Sequence, residues 1–290
     1  MDYSLVNSKI GAENQLFFLN KDKIVGIQSL EAGQKLGLAP LSYIGIGSKT
    51  LNYIPRAEQS NSLSINSYLI NSDPFFRYVT GSELVNGYLL REQSDITNNY
   101  CFLSGYFNDF QCSYSIGNPA QISTTLISVM DGGKIPTGAM SNDQVNDLKF
   151  INTGNFSTGT YLIPSIGTIT LGIDLFNTNR LQNFTLRVSP KKTPVYNLGS
   201  KTPKRIENFG SDINLDCSFE IGNYELSRLR NFPQSGVIKN LSLQVNDYST
   251  NAPIANYSFN NLNLINESVS VSANENVLVN VSFATKIYVS

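Results

Sequence analysis

The stretch "VLVNVSF", residues 277–283, puts Val277, Val279, Val281 and Phe283 on one side of an extended chain. Apolar residues at every second position mark a half-buried β-strand, because successive side chains of a strand point to opposite faces. The same signature recurs along the chain. "LSINSYL" (63–69) carries Leu63, Ile65 and Leu69 among small polar residues, and "NLSLQV" (240–245) aligns Leu241, Leu243 and Val245. "SVSVS" (268–272) alternates serine with Val269 and Val271. The outward positions hold hydroxyls and amides rather than ions: only 15% of the 290 residues are charged, against roughly 25% in an average soluble chain. Such a surface belongs to strands and turns, or to a molecule largely covered in an assembly.

Turn formers punctuate the stripes at "NKDK" (20–23), "GNPAQ" (117–121), "DGG" (131–133), "FNTN" (176–179) and "ANEN" (273–276). Two stretches read as short helices. In "DPFFRYV" (73–79), Ser72 is the expected N-cap and Pro74 falls in the first turn, where its missing N–H costs little. In "NYELSRLRNF" (223–232), Asn223 caps and Arg228 and Arg230 lie near the C-terminal end, where cations suit the helix dipole.

The tetrapeptide "GSKT" occurs twice, with Gly47 and Gly199 152 residues apart. It is not a phosphate-binding loop: Ser48 separates Gly47 from Lys49, and position 42 is not glycine. It belongs to a longer correspondence. "YIGIGSKTLNYI" (43–54) matches "VYNLGSKTPKRI" (195–206), and Leu63, Leu69 and Asn71 match Leu215, Ile221 and Asn223. Further on, at an offset of 155, Ile122, Thr124 and Leu126 fall on Val277, Val279 and Val281. The shared order of strands, turns and helix implies a duplication, with GSKT a repeated turn. The expected fold is mainly β: two tandem, internally duplicated antiparallel sandwich or barrel-forming domains, each with one short helix. The first spans 25–133 and the second 168–290. Residues 134–167 read as a linker and residues 1–24 as an N-terminal arm.

The composition also bounds the chemistry. Histidine is absent, which removes Ser–His–Asp and Cys–His catalysis and the usual neutral-pH acid–base group. No carboxylate pair stands out; Asp143 and Asp147 in "SNDQVND" lack the glycine and distal glutamate of a calcium loop. Cys101, Cys112 and Cys217 lack zinc spacing and are expected to be free thiols, with Cys101 and Cys112 on successive strands. The expectation is therefore no enzyme, no cofactor and no metal. A net charge of −1 argues against broad electrostatic binding of nucleic acid, and tryptophan is absent, which weakens a sugar-binding reading. No apolar run approaches the length of a bilayer span, and the N-terminus lacks the pattern of a secretory leader. Lys191, Lys192, Lys201, Lys204 and Arg205 form a basic cluster. Pro190, Pro194 and Pro203 are spaced through it, so it reads as an extended loop at a subunit boundary.

The segment "SINSYLINSDPFFRYVTG", followed after a gap by "FLSGYFNDFQCSYSIGNPAQISTTLI", resembles the tail-tube proteins of tailed bacteriophages. The resemblance covers about 60–130 and returns more faintly over 195–285. It implies a β-sandwich with one short helix, assembled into rings whose inner sheets join into a continuous barrel that conducts DNA. It also implies long hairpins and arms that link stacked rings. For a two-domain chain it implies trimeric rings with sixfold pseudo-symmetry, hexameric rings being the alternative. The implied partners are further copies of the chain, other phage tail proteins and double-stranded DNA that passes without specific binding; no membrane is involved. The implied location is the tail of a virion, assembled in the host bacterial cytoplasm. Ring-to-ring or subunit contacts are then expected in 80–98, with Arg91 and Glu92, and in 189–212, with Lys191, Lys192, Lys201, Lys204 and Arg205. Lys49 at the first GSKT turn joins them. Two other readings stay open: another tail, neck or capsid-associated structural protein, and a fibre-like module that binds a host glycan.

Overall fold

A computed structural model describes residues 16–35, 38–45, 48–55, 60–90, 100–128, 132–134, 164–173, 176–198, 203–221, 237–247, 250–271 and 277–287. Apart from one five-residue helix, every element among them is a strand, and every pairing is antiparallel.

The first half opens with a hairpin of β1 (Leu16–Leu19) and β2 (Asp22–Ile24). A long two-part hairpin follows: β3 (Ile27–Lys35) and β4 (Leu38–Gly45) run out, and β5 (Ser48–Pro55) and β6 (Ser60–Tyr68) run back. The outer part, β4 with β5, is a two-stranded sheet of its own. Then come helix α1 (Phe76–Thr80) and strands β7 (Val85–Leu90), β8 (Tyr100–Ser115), β9 (Gln121–Ser128) and the short β10 (Gly132–Lys134). The second half holds β11 (Pro164–Ile173), β12 (Phe176–Thr178), β13 (Leu181–Tyr196), β14 (Pro203–Ile221), β15 (Val237–Asp247), β16 (Pro253–Ser270) and β17 (Val277–Ile287).

The two halves pair in the same order. The first runs β2-β1-β7-β8-β9-β6-β3, and the second β12-β11-β15-β16-β17-β14-β13. The correspondence extends to register. Leu63 faces Leu126, and Leu215 faces Phe283; Ile65 faces Thr124, and Cys217 faces Val281. Leu63 and Leu215 keep the 152-residue spacing of the GSKT match. Leu126 and Phe283, however, are 283 − 126 = 157 residues apart, not the 155 read from the sequence. Ile122, Thr124 and Leu126 thus correspond to Val279, Val281 and Phe283. A two-residue slip preserves the faces of a strand, so hydrophobic phase alone does not separate 155 from 157.

Irregularities recur at the same spacing. The β8–β9 ladder shifts between Phe107 and Asp109, and the β16–β17 ladder between Leu264 and Asn266. Three residues before the first shift Ser104 has φ 50°; three before the second Asn261 has φ 56°. Side-chain hydroxyls serve the backbone carbonyls at both irregular sites: Ser128 Oγ donates to Leu103 O, and Thr285 Oγ1 to Asn261 O. A bulge of this kind bends a strand and re-aims its edge.

The alternating stripes fill the core. Val277, Val279, Val281 and Phe283 are buried, as are Leu241, Leu243 and Val245, and Leu63, Ile65 and Leu69. Buried residues of both halves form one continuous cluster. Three segments differ from their sequence reading. Residues 16–24 of the expected arm form the β1–β2 hairpin, paired with β7 and with Phe17, Phe18 and Leu19 buried. Gly132–Lys134, read as a turn, pairs with β8, and Phe176–Thr178 pairs with β11. The second expected helix, 223–232, and most of the expected linker, 135–163, lie outside the described residues.

Candidate assembly interface

The halves meet along a main-chain junction. In β8, residues Tyr100–Gly105 pair with β7; past the bulge the same edge turns to the other half and pairs with β13. Phe110 faces Val188, Cys112 faces Leu186 and Tyr114 faces Phe184. All six of these side chains are buried, and the Tyr114 and Phe184 rings stack at 6.0 Å. On the opposite face Arg187 Nε donates to Gln111 Oε1 at 3.3 Å, and its guanidinium meets Asp216 at 3.4 Å. One side of the junction is therefore dry and the other wet, as a half-buried antiparallel ladder requires.

A second connection runs through α1. The helix follows Phe75 rather than a Ser72 cap, and Asp73 braces its entry: Asp73 Oδ1 accepts from the N–H groups of Phe75 (2.8 Å) and Phe76 (3.1 Å). Asp73 Oδ2 accepts from the Tyr257 hydroxyl of the second half at 2.7 Å. Burial raises the Asp73 carboxyl above its ordinary value, although the Tyr257 hydroxyl and the two backbone N–H groups oppose the shift. Burial likewise pushes the Tyr257 hydroxyl and the neighbouring Cys112 thiol well up. Tyr257 and Cys112 are closed to solvent and Asp73 is half-buried, so this trio joins the halves from within. The Phe76 ring packs edge-on against Phe110 of the first half and against Tyr257 and Phe259 of the second.

The basic stretch 189–196 is strand, not loop. It continues β13 and pairs with β14, Pro190 opposite Ser211 and Pro194 opposite Ile206. Beyond Val188 this strand has left β8, so one edge needs no donors and prolines fit there. Lys192 continues the inward phase of Phe184, Leu186 and Val188. It is buried, and its Nζ donates to Tyr78 O at the end of α1 at 2.8 Å. Burial lowers its pKa to about 8. It serves as a tie within the chain. Directly opposite Lys192 on β14, Asn208 Nδ2 donates to Gly81 O at 3.1 Å, so the hairpin grips both the helix and its exit. The inward phase was the sequence signal for Lys192, masked there by the neighbouring lysine and prolines.

The other expected contact residues are placed as follows. Lys191 pairs with Asp212 at 2.8 Å, Arg205 pairs with Glu207, and Lys204 is exposed on the same hairpin. Lys49 is the second residue of β5, opposite Ile44 of β4, and its side chain lies outside the description. Lys201, Arg91 and Glu92 lie outside the described residues. Cys101, Cys112 and Cys217 are buried thiols outside any disulfide, with Cys101 and Cys112 on one strand, β8, rather than on successive strands. Among the described residues no three of His, Cys, Asp and Glu gather as a metal site requires. A shallow recess on the first half is lined by amides, hydroxyls, Tyr68 and Ile122, including Gln28, Asn66, Gln111 and Gln121, and holds no carboxylate or amine. No helix is long and apolar enough to cross a membrane among the described residues.

Among the strand edges left open in the described residues, besides those of β2, β12 and β13 past Val188, two bear on assembly. One is the side of β3 away from β6. The other is the tail of β16 beyond its bulge, which pairs only with β17. Ile265 (64%), Val269 (48%) and Val271 (69%) stand exposed on or beside that tail. No family model matches the chain, and no curated protein matches it in sequence.

Proposed function

We propose that this protein is a structural building block whose copies close into rings, and that the rings stack as a phage tail tube conducting DNA. The observation that carries the reading is the edge-to-edge junction of two like half-sheets, with an open strand edge left on each half. A unit that already joins itself once through β8 and β13 is suited to joining further copies in the same way, and ring closure removes edges that would otherwise aggregate. The resemblance of 60–130 to tail-tube proteins names the kind of ring. The role is architectural: a chain without histidine, with its thiols buried and the Asp73–Tyr257 pair spent on joining the halves, is poorly equipped for acid–base or nucleophilic work. On this reading DNA passes without sequence-specific contacts, the partners are further copies and other tail proteins, and the location is the virion tail. Two like halves per chain give sixfold pseudo-symmetry with three chains, a ring of 3 × 32.0 = 96 kDa. Negative-stain microscopy and mass photometry of concentrated protein test this. Rings or tubes with three chains per layer are expected; single chains that bind glycans, or particles without rotational symmetry, contradict it.

A further inference from the structure

The two halves are alike enough to say how one chain meets the next, residue by residue. This step rests on the assembly reading above but commits to a particular edge and register.

Within the chain, β13 docks on the tail of β8 with Phe184 opposite Tyr114 and Leu186 opposite Cys112. Each partner has a counterpart in the other half. Phe184 faces Cys217 in its hairpin as Leu30 faces Ile65, so β3 is the counterpart of β13 at 184 − 30 = 154 residues. The bulges and the φ-positive residues fix β16 as the counterpart of β8 at a spacing of 157. Carrying both strands of the junction to their counterparts brings β3 onto the tail of β16. In one chain these strands do not pair.

We propose that β3 of one copy pairs antiparallel with the β16 tail of the next, with Leu30 opposite Val271, Glu31 opposite Ser270, Ala32 opposite Val269 and Gly33 opposite Ser268. Three observations support this register. Val269 and Val271 are exposed at the positions whose counterparts, Cys112 and Tyr114, are buried against β13. The same register supplies Ala32 and Leu30 to cover them. On the wet face, the counterpart of Arg187 is Gly33 and that of Gln111 is Ser268, a small pair without charge. Glu267 falls opposite Gln34, so no like charges meet across the ladder. The β16 bulge at Leu264–Asn266 also has a purpose in this arrangement. It stands at the position of the β8 bulge, which turns that strand from β7 to β13, and among the described residues β15 pairs with β16 as far as Asn263. The contact is heterologous, one edge meeting a different edge, and so builds rings when the rotation closes.

Disulfide trapping in the full chain tests the register. Ala32→Cys with Val269→Cys, and separately Gly33→Cys with Ser268→Cys, sample the two classes of facing pair in an antiparallel ladder, one of which brings the Cα atoms closer. Mild oxidation is expected to yield covalent multimers in whole multiples of 32.0 kDa from at least one of these pairs. The off-register pair Ala32→Cys with Ser268→Cys should yield at least tenfold less. The native cysteines are buried and do not compete. Val269→Lys, at an exposed position, should leave the single chain folded by circular dichroism and weaken assembly at least tenfold in dissociation constant. Equal trapping in and out of register overturns the proposal. So does covalent dimer from Val269→Cys alone, which would mean β16 tails pairing with each other, and so does a chain that stays single at every concentration. Rings by microscopy without in-register trapping would sink this register and leave the ring reading standing. In-register trapping in open chains would do the reverse.

Discussion

The tail of β8 and the tail of β16 are counterparts that meet different fates. Both leave a bulge, both carry alternating side chains, and both pair on one side with the following strand. The β8 tail is covered on its other edge by β13, and its inward residues are Phe110, Cys112 and Tyr114. The β16 tail has no such cover among the described residues, and its matching residues are Glu267, Val269 and Val271. The permanent junction uses aromatic rings and a thiol; the open one uses small aliphatics beside a charge. Under the proposed assembly the open tail must stay soluble until copies meet, and two valines flanked by serines suit both that solubility and the proposed burial.

That difference predicts opposite effects for matched substitutions. Leu186→Asp buries a carboxylate against Cys112 in the internal junction and should unfold the chain, a loss of about 4 kcal/mol or more, read by denaturant titration. Val269→Asp, at the counterpart of Cys112 and on the tail that waits for the matching strand, should change the stability of the single chain by less than about 0.5 kcal/mol while abolishing assembly in sedimentation. If Val269→Asp unfolds the chain as Leu186→Asp does, the two tails are not distinguished in the way argued here.

The next largest effect concerns the tie through α1. Phe76→Ala removes a ring shared by Phe110, Tyr257 and Phe259 and should cost about 2–4 kcal/mol, discounted from full burial because Phe76 is half-buried. A loss below about 1 kcal/mol in thermal or chemical unfolding would mean that the halves are held by the β8–β13 ladder with little help from the helix.

Lys192 gives a pH signature to the same tie. Its pKa is about 8 in the folded chain and near the ordinary 10.5 when unfolded. Between those values the unfolded chain binds more protons, so stability should rise with pH across that window and be insensitive to this group below about pH 8. Lys192→Met should lack that rise, so the gap in stability between wild type and variant should move in favour of wild type from pH 8 to pH 10.5. A constant gap would place the ammonium in water. At the small end, Asp22→Asn breaks the exposed Asp22–Arg77 pair at 2.7 Å and should shift stability by no more than about 0.5 kcal/mol, less at high salt.

Much of the architecture is legible in the sequence because strand phase is written residue by residue. Val277 to Phe283 announces its buried face, and the 152-residue GSKT match announces the second long hairpin. Register is less legible, because it depends on which strand lies opposite. A two-residue slip leaves every face intact, so the 155-residue spacing read for the later strands stood two short of the 157 set by Leu126 and Phe283. Prolines mislead for a related reason. Pro190 and Pro194 argue against a central strand, yet β13 becomes an edge after Val188, and nothing in "SPKKTPVY" records that β8 has already departed. The helix start is a local miss: Ser72 reads as the cap, whereas the Asp73 carboxylate braces the entry, tied as well to the hydroxyl of a tyrosine 184 residues away. The assembly surface is the least visible part. Ser268–Val271 reads as an ordinary half-buried strand until the structure shows Val269 and Val271 in water.

The central claim is that the β8–β13 junction is rebuilt between copies by β3 and the β16 tail. Hydrogen exchange measured across a range of protein concentrations tests it most directly. Amides of 110–115 and 183–188 should be protected in dilute and concentrated protein alike. Amides of 29–34 and 266–271 that point to the open edges should exchange quickly in dilute protein and gain protection together as copies assemble. Protection of those two segments that does not change while the mass rises, or that appears in one segment without the other, would contradict the account.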